Sequence, residues 1–164
     1  MDATRTMPEA KLWDLIADIR TVMLATYNDS RVESRPMTAF VDKDARTIWF
    51  IVDVTTDKTR AIKPGQQVNL AFADIKDATY ISLNANATVL QDVAKQKALW
   101  NPFAEAYMPE GPEAPNVGLI RIDPIDAAYW DSPSSTIVQL WQIAVANVTQ
   151  TPPEDDKTGL VRFA

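Results

Sequence analysis

Pro36 interrupts a stretch, residues 32–41, that otherwise reads as one β-strand. Proline has no N–H to give to a ladder, so such a strand must lie at a sheet edge or beside a gap. Arg35, Met37 and Ala39 share one face of it, and Ser34, Pro36 and Thr38 share the other. Two readings stay open. Pro36 is a guard against edge-to-edge pairing, or it leaves neighbouring main-chain groups unpaired for a planar heteroaromatic ligand.

The rest of the chain alternates strand and helix signals. Leu12, Leu15, Ile16 and Ile19 recur at helical spacing after Thr6-Met7-Pro8-Glu9, a capping-box pattern, which predicts a helix over about 8–18. The period then changes. Residues 22–26 read as a strand, Asn28-Asp29-Ser30-Arg31 as a hairpin turn, and 47–52 as a third strand after 32–41. Three consecutive antiparallel strands predict a meander. Thr55 or Thr56 caps a helix to Lys63, stopped by Pro64-Gly65. Strands follow at 68–73 and 79–90, then a helix from Asp92 to near Trp100. Asn101-Pro102 has the form of a capping residue plus proline at the first helical position, so a short helix should reach Tyr107. A loop over 109–115 leads to a strand over 117–130, bent at Asp123-Pro124. Ser134-Ser135 begins a last helix, about 135–149, with Ile137, Leu140, Trp141, Ala144 and Val148 on its apolar face. After Pro152-Pro153, Glu154-Asp155-Asp156 opens a polar tail, so 150–164 is expected to be tail. Six mostly antiparallel strands and four or five helices, with no repeat and no dividing linker, suit a single domain over 1–164 built as a small barrel.

Composition limits the chemistry. There is no cysteine and no histidine, which excludes disulfides, thiolate and Ser-His-Asp catalysis, and metal sites built on either residue. A redox enzyme of this composition needs an organic cofactor to carry the reaction. The net charge of −6 disfavours nucleic acid and anionic membranes as partners, and no apolar run approaches the ~20 residues of a transmembrane helix. A cytoplasmic location is expected. An anionic ligand would have to meet a local cationic pocket, and Arg35 followed by Thr55-Thr56-Asp57-Lys58 offers one. Amides at a helix start, a threonine hydroxyl and a lysine ammonium together suit a phosphate; a capped helix with a solvated lysine is the plainer alternative. Most of the five tryptophans should be core or interface residues, while Trp130, at a strand end before Asp131, could cover a ligand ring. Glu105, Glu110, Glu113 and Asp123 show no pairing that implies acid–base work.

The order and spacing of several segments carry more than any one of them. Ser34-Arg35-Pro36-Met37, Trp49-Phe50, Leu70-Ala71-Phe72-Ala73-Asp74, Leu99-Trp100-Asn101-Pro102, Tyr129-Trp130-Asp131 with Pro133-Ser134-Ser135, and Val138-Gln139-Leu140-Trp141 follow one another between Leu12 and Val161. In this the chain resembles the general stress protein 26 branch of the pyridoxamine 5′-phosphate oxidase-like, FMN-binding split-barrel superfamily.

The resemblance implies a mainly β (α+β) fold, a six-stranded antiparallel Greek-key split β-barrel with peripheral helices. It implies a homodimer with FMN at the subunit interface, or FAD or a deazaflavin in its place. Arg35 and Lys58 would contact the phosphate and ribityl region, with Thr56 assisting. Pro36, Met37, Thr38, Ile51 and Val52 would line the isoalloxazine, Trp130 would approach from the partner subunit, and Asn101 would lie nearby. The implied activity is that of an FMN-dependent oxidoreductase with a small-molecule redox partner. The alternatives are a flavin store or sensor without catalysis, and a dimeric scaffold that has lost flavin. A second phosphate finds no further basic cluster, which argues against vitamin B6 oxidation. Three positions depart from the pattern. Val52 stands where relatives commonly carry threonine, Asp57 where a neutral or basic residue is usual, and Ala85 where glycine is usual. The first two predict looser flavin binding.

Overall fold

The computed structural model describes residues 7–131 and 157–163. The helices are α1 (Glu9–Asp18), α2 (Asp57–Arg60), α3 (Val93–Leu99) and α4 (Pro102–Tyr107). The strands are β1 (Thr21–Tyr27), β2 (Val32–Thr38), β3 (Phe40–Asp42), β4 (Thr47–Asp53), β5 (Gln66–Asp74), β6 (Thr79–Leu90), β7 (Val117–Asp131) and β8 (Lys157–Arg162). They form a sheet in the order β2-β1-β5-β6-β7-β4-β3, with β8 added to β7. Every pairing is antiparallel.

The two edges of that order, β2 and β3, are joined by Ala39 alone. Neighbouring residues of one segment thus occupy opposite edges, and the sheet must curl to meet itself: a split barrel. Ala39 is held at the crossing by its N–H, which donates to the Arg20 carbonyl at 2.8 Å. The single strand expected over 32–41 is therefore two strands, and the expected meander does not form. β2 pairs with β1 and β3 with β4, so residues before and after Ala39 belong to different sides of the barrel.

Alternation along the strands fills the interior. Leu24, Phe50, Leu70, Phe72, Leu83 and Ile122 are fully buried, and α1 adds Leu12, Trp13 and Ile16. Strand β7 pairs with β6 along its length but divides its other edge, giving 117–122 to β4 and 126–131 to β8. The change falls at Pro124, where the register with β6 slips by one residue opposite Asn84 and Ala85. Proline removes a donor there, so the bend read from Asp123-Pro124 is also where the partner strand changes. Ala85 is fully buried beside this bulge.

Eight strand segments thus stand where six were expected: one comes from the split at Ala39, the other from the supposed tail. Residues 157–162 form β8 because Val161 lies buried and Phe163 stacks against Trp13 with ring centroids 5.4 Å apart. Leu160, Val161 and Phe163 carry the strand signal, which the acidic run Glu154-Asp155-Asp156 before them masks in the sequence. Pro8 takes the capping position without a side-chain bond, and Glu9 accepts a hydrogen bond from the Trp13 indole at 3.2 Å. Thr6 and the helix expected over 135–149 lie outside the described residues. No helix among the described residues is long and apolar enough to cross a membrane.

Gly118 marks the tightest approach in the sheet. A Cβ there would collide with Val54 Cγ1 and stand 3.0 Å from the Leu90 carbonyl oxygen. Gly118→Ala should therefore cost about 1–3 kcal/mol through overpacking. Urea denaturation measures it as a lower midpoint at unchanged slope; an unchanged midpoint would show that Val54 moves aside freely.

Candidate functional site

The pairings leave a wedge beside the crossing. Strand β3 meets β4 only from Phe40 opposite Trp49 to Asp42 opposite Thr47, so among the described residues β4 has no strand partner on that side from Phe50 to Asp53. Among the described residues β2 pairs with β1 alone and presents its other edge to the same opening. Main-chain groups on both sides of the split are thus open to a ligand, and Pro36 lies on one of those edges.

A cavity of about 600 Å³ occupies this wedge. It is lined by Arg35, Pro36, Met37 and Thr38 of β2, by Ile51 and Val52 of β4, by Thr56 and Lys58 at the start of α2, and by Asn101 before α4. These are nine of the ten residues read as site residues from the sequence. Trp130 is apart from them, on β7 opposite Tyr80 of β6 and Thr158 of β8. The same cavity includes Thr21, Phe40, Asp53, Thr59, Phe103, Ala104, Tyr107 and Met108, which sequence reasoning missed. Asp57 is exposed and does not line it.

Arg35 is the most informative side chain. Its Nη1 donates to Thr26 Oγ1 at 3.2 Å, while Nη2 is buried and has no partner. Desolvation lowers its pKa, with nearby Glu33 pulling the other way. A guanidinium with an unspent donor, half out of water, favours an acceptor that arrives from outside the chain. Lys58 lines the same cavity and makes no hydrogen bond or ion pair with the described residues. Arg35 and Lys58 thus supply cationic donors suited to a phosphate. The open strand edges supply donors and acceptors for a planar ring.

Other polar groups here are committed to the scaffold. The Thr56 hydroxyl accepts from the Thr59 N–H at 3.4 Å as the cap of α2 and lies 3.1 Å from the Asp53 carbonyl oxygen. Asp53 Oδ1 accepts from the Thr55 N–H at 2.8 Å and the Thr55 hydroxyl at 2.6 Å, and Oδ2 from Asn116 at 3.4 Å. The Thr55 hydroxyl and N–H, with a smaller contribution from Asn116, hold the Asp53 carboxyl below the ordinary carboxylate range. It is an ionised turn-maker and has no raised affinity for a proton. Asn101 Oδ1 accepts from the N–H groups of Phe103 at 2.9 Å and Ala104 at 3.0 Å. Its amide thus fixes α4, and α4 in turn brings Phe103 and Tyr107 to the cavity. The signal for that pair was their four-residue spacing behind a strong cap.

Comparison with known proteins agrees with the fold. A structure from Jannaschia sp. CCS1, assigned to general stress protein 26, superposes with a TM-score of 0.75 at 24% identity, covering 94% of this chain and 97% of that one. That likeness shows the fold. A general stress FMN/FAD binding protein from Xanthomonas citri superposes with a TM-score of 0.68 at 30% identity, covering 76% of this chain and 89% of that one. Protein bli-3 of Neurospora crassa is 23% identical over 118 residues, which are 67% of this chain and 56% of that protein, so the match spans little more than half of it. The family model described as pyridoxamine 5′-phosphate oxidase like matches residues 8–154, and the chain belongs to that family.

Proposed function

We propose that the cleft between β2 and β4 binds FMN and that the protein is an FMN-dependent oxidoreductase of the general stress type. The observation that carries this reading is the buried, unpartnered Nη2 of Arg35, a residue that lines the same cavity as the unpaired Lys58. The Xanthomonas citri relative, described as binding FMN or FAD, supports the same ligand class. Arg35 and Lys58 would hold the phosphate end. The open edges at 36–38 and 51–52 would hold the ring through the main chain, with Met37 and Val52 as apolar walls. FMN, when bound, supplies hydride chemistry at its own ring, so the protein's part is to bind, orient and exclude water. Asp57 lies outside the lining, so of the two departures only Val52 would touch the ligand, and Asp57→Asn should act on FMN affinity only through a small charge effect that fades with added salt.

A flavin store or sensor is the second reading, and one feature favours it. The chain has no histidine, and Asp53, the acidic residue of the lining, is held below the ordinary carboxylate range and is a weak base. Turnover of bound flavin by a nicotinamide donor separates the two.

The homodimer belongs to the same reading. On the outer face a row runs Pro36, Met23, Ala71, Ser82, Ala128 and Leu160 across six strands, and a second runs Ala73, Tyr80 and Trp130. Tyr80 and Trp130 are each 42% exposed and Leu160 is 54% exposed, although they form one apolar surface. A hydrogen-bonded ladder, Asn69 to Ser82 and Asn84 and on to Asp126, borders it. A second copy seated by a two-fold axis near Ala71 would bring Trp130 of the partner subunit toward Pro36 and the cleft. This would account for the position of Trp130 apart from the other nine residues.

Two outcomes test these readings. Lys58→Ala should weaken FMN by tenfold or more, for a charge-assisted contact worth about 1.5–3 kcal/mol, and leave riboflavin binding nearly unchanged. Equal FMN titrations for mutant and wild type would make Lys58 an ordinary surface lysine. Light scattering should give twice the chain mass, and Ala71→Arg, which adds charge at the centre of the apolar rows, should halve it and weaken FMN together. A wild-type mass of one chain would sink the shared site.

A further inference from the structure

We infer that the Phe103–Tyr107 side of the cleft seats a second ligand, an uncharged planar aromatic compound of the quinone class, an inference that rests on the flavin reading above. Helix α4 has two unlike faces. Ala104 and Met108 are buried against Val117, with Ile51 and Trp100 packed on them, and this anchors the helix. Phe103 and Tyr107 point the other way, 60% and 73% exposed, and pack on each other with ring centroids 4.9 Å apart at 47°. Both line the cleft. Two large apolar rings left in water on a helix fixed by Asn101 and Pro102 form a rigid stacking surface with little ordering entropy left to lose.

Charge distribution selects what can stack there. The cations of the lining, Arg35 and Lys58, come from β2 and α2, and α4 contributes no charged side chain to it. Asp53, the acidic residue of the lining, has both oxygens engaged by Thr55 and Asn116. An anionic second ligand would gain nothing from α4 and would compete for the phosphate donors. A cationic ring would find no anion on α4 either, the phosphate being already paired with Arg35 and Lys58. An uncharged ring suffers neither penalty, and the Tyr107 hydroxyl offers it a hydrogen bond. A ring bearing a carbonyl uses both the stacking face and that donor, as a quinone does.

Equilibrium dialysis of the full-length protein against 1,4-naphthoquinone, with and without saturating FMN, tests this. The absence of cysteine removes thiol addition as a background reaction. Wild type should bind naphthoquinone and reject its saturated, puckered decalin analogue. Phe103→Ala/Tyr107→Ala, compared with wild type at FMN saturation, should lose on the order of tenfold in naphthoquinone affinity. The exchanged variant Phe103→Tyr/Tyr107→Phe, which keeps both rings, should retain most of the binding. Equal naphthoquinone binding by wild type and the double alanine variant, or none by wild type, while both bind FMN, overturns the inference and leaves the flavin reading standing. Failure of wild type to bind FMN overturns the flavin reading itself, and the inference falls with it.

Discussion

The crossing at Ala39 is the constraint on which the rest of the molecule depends. One strand's length of chain pairs with β1 before Ala39 and with β4 after it. A continuous strand would have sealed the barrel with hydrogen bonds along its whole length. Because the segment changes partners, the β2 edge from Arg35 to Thr38 and the β4 edge beyond Trp49 diverge, and both carry backbone groups that no described strand satisfies. Buried main-chain donors and acceptors without partners are costly, so such a wedge is kept open only where water or a ligand can enter. Pro36 fits this economy, since it contributes no N–H to an edge that has no strand to receive one.

The electrostatics of the cleft follow from the same geometry. Arg35 lies on the face of β2 that turns inward toward Thr26, which satisfies one guanidinium nitrogen and leaves Nη2 buried without an acceptor. An unsatisfied buried group costs roughly 1–3 kcal/mol, more when charged. The chain as a whole is acidic, at −6, so retention of an unpaired cation beside a second one, Lys58, is not explained by overall charge balance. Stability given up at such a point is recovered when an anion binds. The polar groups nearby that could have quenched these cations are committed elsewhere: Asp53 to Thr55 and Asn116, and Thr56 to its cap.

Much of this was legible in the sequence because it rests on local chemistry. The caps Thr56, Asp92 and Asn101, the bend at Pro124, and the strand over 79–90 each follow from residue types at fixed spacing, and each is present. Nine lining residues were also found, through the arginine–proline strand, the helix start with its lysine, and the resemblance. What was not legible depends on partners distant in sequence. Nothing in residues 32–41 says that the strand changes neighbours at Ala39, since an alanine carries no turn signal. Residues 157–162 form β8 only because β7 frees its second edge after Pro124, which a reading weighted by the preceding acidic run could not anticipate. Phe103 and Tyr107 likewise look like a helix's buried face until Ala104 and Met108 are seen to claim that role.

The central claim is that the wedge opened at Ala39 is a flavin site completed by Arg35. A crystal structure of the protein soaked with FMN tests it most directly. The phosphate should lie within about 3.2 Å of Arg35 Nη2, with Lys58 at its other side and the ring edge against the main chain of 36–38 and 51–52. Flavin density elsewhere on the molecule, or a cleft occupied while Arg35 Nη2 remains unpartnered, would contradict it.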